Sequence, residues 1–308
     1  MDLHQHRHPL SAAMCEWVLR ELKAIEAQHE VTVLYACESG SRAWGFASPD
    51  SDYDVRFVYV PRQPWYLRVD APRDVIERPL SDELDIGGWE LRKTLQLLRK
   101  SNPTLLEWLG SPLVYRSEPG AAEQLRSLAE QFYCPTAARH HYLSMARKNF
   151  RGYLQDEQVR FKKYLYVLRP LLAVRWIDQG LGRPPMTFAA LLDATVRDPA
   201  LLAEIDALLT LKRQVVESAY GPRREAIHAF IEQALQHAET QPATTASASA
   251  PPVAAPWYCR RCCRPCCAHR ITAACGSAAA PITRLRRRAT FCSTPGCRCC
   301  GAWARNWS

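Results

Sequence analysis

The chain has 308 residues, enough to bury a large core without disulfides or a structural metal. Its formal net charge of +9 would ordinarily point to nucleic acid or an anionic membrane surface. The excess is confined to one end, however: residues 242–308 hold ten Arg and no Lys, Asp or Glu, which leaves 30 basic against 31 acidic side chains in residues 1–241. Overall charge therefore gives no support to nucleic-acid binding by the body. Only Cys15, Cys37 and Cys134 lie outside the tail, as in a protein of a reducing compartment. The start MDLHQHRHPLSAAM has no apolar signal core, and no apolar run approaches the roughly 18 residues needed to span a bilayer. A cytoplasmic protein with no membrane association is expected.

In chain order, residues 11–29 place Met14, Val18, Leu22 and Ile25 at helical spacing, which predicts an amphipathic helix. VTVLYAC (31–37) is β-branched and apolar and stops at the turn-forming ESGS, so a strand ending in a Gly-Ser turn follows. A second strand is expected from about residue 52 to 60, closed by Pro61 and Pro64. ELDIGGWE reads as a short strand, 90–100 as a helix, and Asn102-Pro103 as the cap and first residue of another helix. From 135 to about 237 the pattern is wholly helical, with helices expected over 137–154, 162–179, 188–195, 199–220 and 222–237.

This divides the chain into an α/β (α+β) core with a mixed sheet over 1–134, an all-helical C-terminal domain over 135–241, and a low-complexity Cys- and Arg-rich tail over 242–308. The tail opens with an Ala, Pro, Ser and Thr linker expected to be disordered. Its paired cysteines, WYCRRCCRPCC and CSTPGCRCC, have spacing compatible with zinc. The absence of acids, lysine and apolar periodicity instead fits a shifted reading frame of GC-rich DNA, and a basic nucleic-acid tail is the third reading.

The chemistry-bearing residues lie between the first two strands. Side chains alternate along a strand, so Asp52 and Asp54 are expected on one side, close enough to share a cation. Mg²⁺ or Mn²⁺ prefers hard oxygen ligands and offsets charge on phosphoryl oxygens. Ten residues earlier, Gly40-Ser41 ends the first strand, where glycine admits close backbone approach and N–H groups with a hydroxyl can cradle phosphate. Each element alone is weak, because acidic pairs at strand ends are usually solvated. Their order is more specific: apolar strand, Gly-Ser, short helix, Ser-Asp-x-Asp, apolar strand.

In that order GSRAWGFASPDSDYDVRFVYV resembles the DNA polymerase β-like nucleotidyltransferase superfamily, and the RlaP-type nucleotidyltransferases within it. The likeness continues through LDIGGWELRKTLQLLRKSNPTLLEWLGSP and KKYLYVLRPLLAVRWI. The resemblance implies a metal-dependent enzyme that moves NMP from an NTP, with ATP the expected donor, to an acceptor hydroxyl on an RNA end, a protein or a small molecule. It also implies a third carboxylate on a later strand. Asp85 is the candidate, since alternation sets it opposite Leu84 and Ile86, with Asp82 and Glu83 as competitors. Asp52, Asp54 and Asp85 are thus the expected catalytic and metal-binding set.

Cations for the triphosphate are sought at Arg42, directly after the turn, and at Lys163 and Arg169 on the helix that shares the resemblance, beside Lys162 and Tyr166. A solvated helix face is the competing reading. Two further alternatives stand beside the enzyme reading: a toxin–antitoxin type protein-modifying nucleotidyltransferase, and a non-catalytic nucleotide- or RNA-binding module.

Overall fold

The computed structural model describes residues 10–70, 72–78, 83–214 and 220–240. Asp82 and the whole Cys- and Arg-rich tail lie outside the described residues. Helix α1 (Ala12–His29) starts where Ser11 accepts a hydrogen bond from Met14 N at 3.1 Å, and it buries Met14, Val18, Leu22 and Ile25 along one stripe. It ends at Glu30, whose φ of 52° turns the chain into β1 (Val31–Glu38). There follow α2 (Gly40–Trp44), β2 (Tyr53–Pro61), α3 (Gln63–Tyr66), β3 (Val75–Glu77), β4 (Leu84–Glu90), α4 (Leu91–Arg99), α5 (Pro103–Leu109), β5 (Val114–Ser117) and α6 (Ala121–Phe132). Asn102 caps α5 as expected, accepting from Leu105 N at 3.1 Å.

The strands form one mixed sheet in the order β3-β4-β2-β1-β5, in which β2 runs parallel to β4 and the other neighbours are antiparallel. One face carries Val55, Phe57 and Ile86 against Val18, Leu22 and Ile25 of α1. The other carries Tyr35, Cys37 and Val58 against Leu98, Leu105, Trp108 and Leu125 of α4, α5 and α6. With both faces covered, the functional groups are left at the end of the sheet where β1 finishes and β2 and β4 begin.

The second half is α7 (Pro135–Tyr153), β6 (Gln158–Arg160), α8 (Phe161–Asp178), α9 (Phe188–Thr195), α10 (Pro199–Gln214), β7 (Tyr220–Pro222) and α11 (Glu225–Thr240). Helix α8 is its centre, with Tyr164, Leu165, Leu168, Leu171 and Leu172 buried on successive faces. A helix apolar nearly all round is one surrounded by neighbours. Phe46, from the loop after α2, also packs into this helical core.

Two expectations need correction. The region from 135 onward is not wholly helical: β6 and β7 pair antiparallel through Val159 and Gly221, so Tyr220 lies in a strand rather than in the helix expected over 199–220, which is described as far as Gln214, and the helix expected over 222–237 starts at Glu225. Three-residue strands are too short to show periodicity. The second strand, expected from about residue 52, is Tyr53–Pro61, so strand alternation does not set Asp52 beside Asp54: Asp52 is exposed at the end of the preceding loop.

Candidate active site

β1 ends in Glu38, and the chain reverses into α2 within two residues. Ser39 is extended, and Gly40 takes φ 60°, a left-handed conformation that only glycine adopts without strain. Space sets a second requirement. A Cβ on Gly40 would lie 1.9 Å from Asp54 Oδ2 and 2.8 Å from its Cγ. The glycine therefore lets the turn backbone lie directly against the Asp54 carboxylate, and Ser39 N donates to Asp54 O at 2.8 Å. Ser41 is buried in the turn, its carbonyl accepting from Gly45 N and Phe46 N, both at the close of α2.

The loop that delivers Asp52 is fastened at several points. Ser48 N donates to Ser51 Oγ at 3.0 Å, and the two hydroxyls are 2.9 Å apart. From α10, the buried Lys212 donates to Ser48 Oγ at 3.3 Å. Arg42 donates to Ser51 O at 2.6 Å and to Asp52 O at 3.3 Å, with its guanidinium 3.7 Å above the Tyr53 ring. Arg42 thus ties the Gly40-Ser41 turn to the loop that carries Asp52.

Asp54 and Asp85 are register partners across the parallel β2–β4 pair. Between them sits Arg56, two residues beyond Asp54 and so on its face of the strand. Arg56 Nη2 donates to Asp54 Oδ1 at 3.1 Å and to Asp85 Oδ2 at 2.7 Å. Its Nη1 donates to Val55 O and Asp85 O at 3.0 and 3.1 Å. The Asp54, Asp85 and Arg56 side chains are 30 %, 35 % and 21 % exposed, so the cluster borders solvent. Asp85 lies opposite the buried Leu84 and Ile86, while Glu83 sits in the turn before β4.

Behind Asp54 lies a carboxyl group that sequence reasoning passed over. Glu38 is fully buried, accepting from Asp54 N at 3.0 Å and from Tyr115 Oη at 2.6 Å. Burial pushes its pKa up from 4.5 to about 7, against the opposing pull of the Tyr115 and Asp54 hydrogen bonds. The folded protein then keeps a proton that the unfolded chain releases near pH 4.5. That stabilisation is complete below 4.5 and is lost as pH rises through about 7. Metal-free protein is expected to lose about 2–3 kcal/mol of unfolding free energy between pH 5 and 8. Glu38→Gln, which can serve both partners without titrating, should flatten that slope, and urea unfolding at the two pH values checks it. Equal slopes in the two proteins would remove Glu38 as the cause.

The model of the RlaP family, described as an RNA repair pathway DNA polymerase beta family, matches residues 14–255. The chain belongs to the RlaP family. As such it is a polymerase β-like nucleotidyltransferase by family and by its mixed α/β fold. It is 51 % identical over 223 residues to the uncharacterized protein YcgL of Bacillus subtilis (strain 168), covering 72 % of this chain and 86 % of that one. Among solved structures it is similar to a nucleotidyltransferase-like protein from Exiguobacterium sibiricum 255-15, with a TM-score of 0.30 and 15 % identity over 73 % of this chain and 75 % of that one.

The remaining cations of this RlaP-family chain divide. Lys163 stands 3.8 Å over the Tyr153 ring and 5.2 Å from that of Tyr166, which in turn meets Trp44 of α2 edge-on at 5.6 Å. Arg169, expected to face a triphosphate, is instead 2 % exposed and bound to the buried Glu107 at 2.6 Å. Its other nitrogens reach Met186 O, and its guanidinium lies 4.7 Å over the Trp44 ring. A guanidinium so enclosed needs a buried counter-charge, and Glu107 supplies it. Glu107 also accepts from Trp44 Nε1 at 3.3 Å, so the pair secures α2 against the helical half.

Arg56, Glu38 and Lys212 are the site residues missed from sequence. For the first two a signal existed: a lone arginine inside the apolar YDVRFVYV, and an acid closing VTVLYACE just before the turn. A groove of about 480 Å³ elsewhere, lined by Leu171, Arg175, Phe230 and Ala234, contains none of the Gly40, Asp54 and Asp85 cluster. Among the described residues no helix is long and apolar enough to cross a membrane.

Proposed function

We propose that the end of the sheet around Gly40 and Asp54 transfers NMP from an NTP, with ATP the expected donor, to an acceptor hydroxyl, and that an RNA end is among the acceptors. The observation that carries this reading is the Gly40 backbone lying against Asp54 Oδ2, where a Cβ would come within 1.9 Å. Binding alone does not call for a carboxylate pressed into a phosphate turn. Transfer does, because the α-phosphate must sit beside the group that manages its charge.

Asp52 and Asp54 offer hard oxygen donors suited to Mg²⁺ or Mn²⁺. Among the described residues no group of three or more His, Cys, Asp or Glu side chains is gathered as a metal centre. Asp54, at the start of β2, and Asp52, exposed on the loop just before it, would hold a divalent ion that takes its other ligands from the nucleotide and water. When bound, the ion supplies neutralisation of the triphosphate oxygens.

The protein groups do the rest. The Gly40-Ser41 backbone receives the phosphates, and Arg42 holds the Asp52 loop to that turn. The acceptor oxygen forms the new bond to the α-phosphorus, the bond from that phosphorus to the β-bridging oxygen breaks, and pyrophosphate leaves with the electron pair. The hydroxyl proton passes to the Asp85 carboxylate, which borders solvent. A cytoplasmic location accords with the cysteine usage of the body.

The test is incubation of the full chain with each α-labelled NTP and with RNA, protein and metabolite fractions, in Mg²⁺ and in chelator. Metal-dependent label in one fraction with matching pyrophosphate release is the expected result. Absence of label from every fraction, with no pyrophosphate released, overturns the reading.

A further inference from the structure

Two-ion phosphoryl-transfer sites hold their cations roughly 3.5–4 Å apart between shared carboxylates. Here the place between two of the carboxylates is already filled by a side chain of the protein. Asp54 and Asp85 are direct partners on neighbouring strands, which run about 4.8 Å apart, and two carboxylates on adjacent strands disfavour each other's charge unless a cation lies between them. Arg56 Nη2 provides one, at 3.1 Å from Asp54 Oδ1 and 2.7 Å from Asp85 Oδ2.

The guanidinium is anchored rather than swinging. Its Nη1 is tied to two strand carbonyls, Val55 O and Asp85 O, which are part of the sheet itself. An arginine keeps its charge at any working pH, so the positive charge is permanent. Asp52 stands outside this clamp, exposed at the end of its loop, and Asp54 directs its second oxygen to Gly40.

From this arrangement we infer that Arg56 takes the place of a second metal ion, so that the site works with a single divalent cation, held by Asp52 and Asp54 together with the nucleotide. This inference rests on the nucleotidyl-transfer reading above. Arg56 is a positioning residue within it: it fixes the Asp54 and Asp85 carboxylates relative to each other and neutralises them without an exchangeable ion. Metal dependence should then follow saturation of one class of site.

Mn²⁺ binding to the full chain, followed through the EPR signal of the free aqueous ion in the presence of a non-hydrolysable α,β-methylene ATP, reads the stoichiometry directly. One ion per chain is expected for wild type and for Arg56→Lys, and a second for Arg56→Met, where the Asp54–Asp85 gap loses its charge. Arg56→Gln serves as a second uncharged variant should Met impair folding, as judged by urea unfolding. Two ions in wild type, or one ion in every variant, overturns the inference while leaving nucleotidyl transfer intact. Failure of wild type to bind any Mn²⁺ with nucleotide also overturns it, and the label-transfer assay then shows whether the functional reading falls with it.

Discussion

Asp54→Asn is expected to lower nucleotidyl transfer by about 10³-fold or more, roughly 4 kcal/mol in the barrier, while leaving the fold in place. The substitution keeps the size of the side chain and removes its charge. Two bonds at this position belong to the backbone: Asp54 N donates to Glu38 Oε1, and Asp54 O accepts from Ser39 N. Both survive in asparagine, whose amide oxygen can still accept from Arg56 Nη2 in place of Oδ1. Arg56 keeps Asp85 at 2.7 Å and both carbonyl contacts, so its charge stays paired. On the proposed reading a ligand for the cation is lost, by contrast, together with the negative charge set against the Gly40-Ser41 turn. Stability within about 1 kcal/mol of wild type, in the range of a mild substitution, together with collapse of label transfer, is the expected pair of results. Retention of more than a tenth of the wild-type rate by a folded Asp54→Asn protein would remove this carboxylate from the chemistry.

What the sequence made legible is what local geometry decides. The Gly-Ser turn, the alternation that sets Asp85 opposite Leu84 and Ile86, and the stripe of α1 all depend on neighbours a few residues away. The rest needed partners from distant parts of the chain. Arg56 meets Asp85 only because β2 and β4 run parallel in that register, and Lys212 reaches Ser48 from the far end of the helical half. Arg169 shows the limit from the other side. Its place on the helix that shares the resemblance made it a candidate for the triphosphate, but sequence spacing cannot say which face of a helix meets solvent. α8 is apolar almost all round, and a charge within such a helix is more naturally buried with a counter-ion than offered to a ligand. Strands of three or four residues, such as β3, β5, β6 and β7, carry too few side chains for any periodic signal.

Gly40→Ala separates the two demands made on the turn. The left-handed φ of 60° alone costs a non-glycine residue about 1–2 kcal/mol. Gly45 provides the comparison: its φ is 89°, yet a Cβ there would meet nothing within 4 Å. Gly45→Ala is therefore expected to lose about 1–2 kcal/mol and to keep near wild-type transfer. At Gly40 the added methyl falls 1.9 Å from Asp54 Oδ2, and that carboxylate cannot simply swing aside, since Oδ1 is held by Arg56 and the residue's main chain by Glu38 and Ser39. Relief requires parting the turn from β2. The expected result is a loss of about 3 kcal/mol or more in urea unfolding, as for overpacking added to backbone strain, and a fall in transfer of about 10²-fold or more, since misplacement by about 1 Å is enough for that. A double-mutant cycle identifies the source. In an Asp54→Ala background the obstructing oxygen is gone, so Gly40→Ala should cost only about what Gly45→Ala costs, the backbone strain alone. An undiminished penalty in that background would mean that the glycine serves the turn and not the carboxylate, and the close approach of the Gly40-Ser41 turn to Asp54 would lose its place in the proposed mechanism.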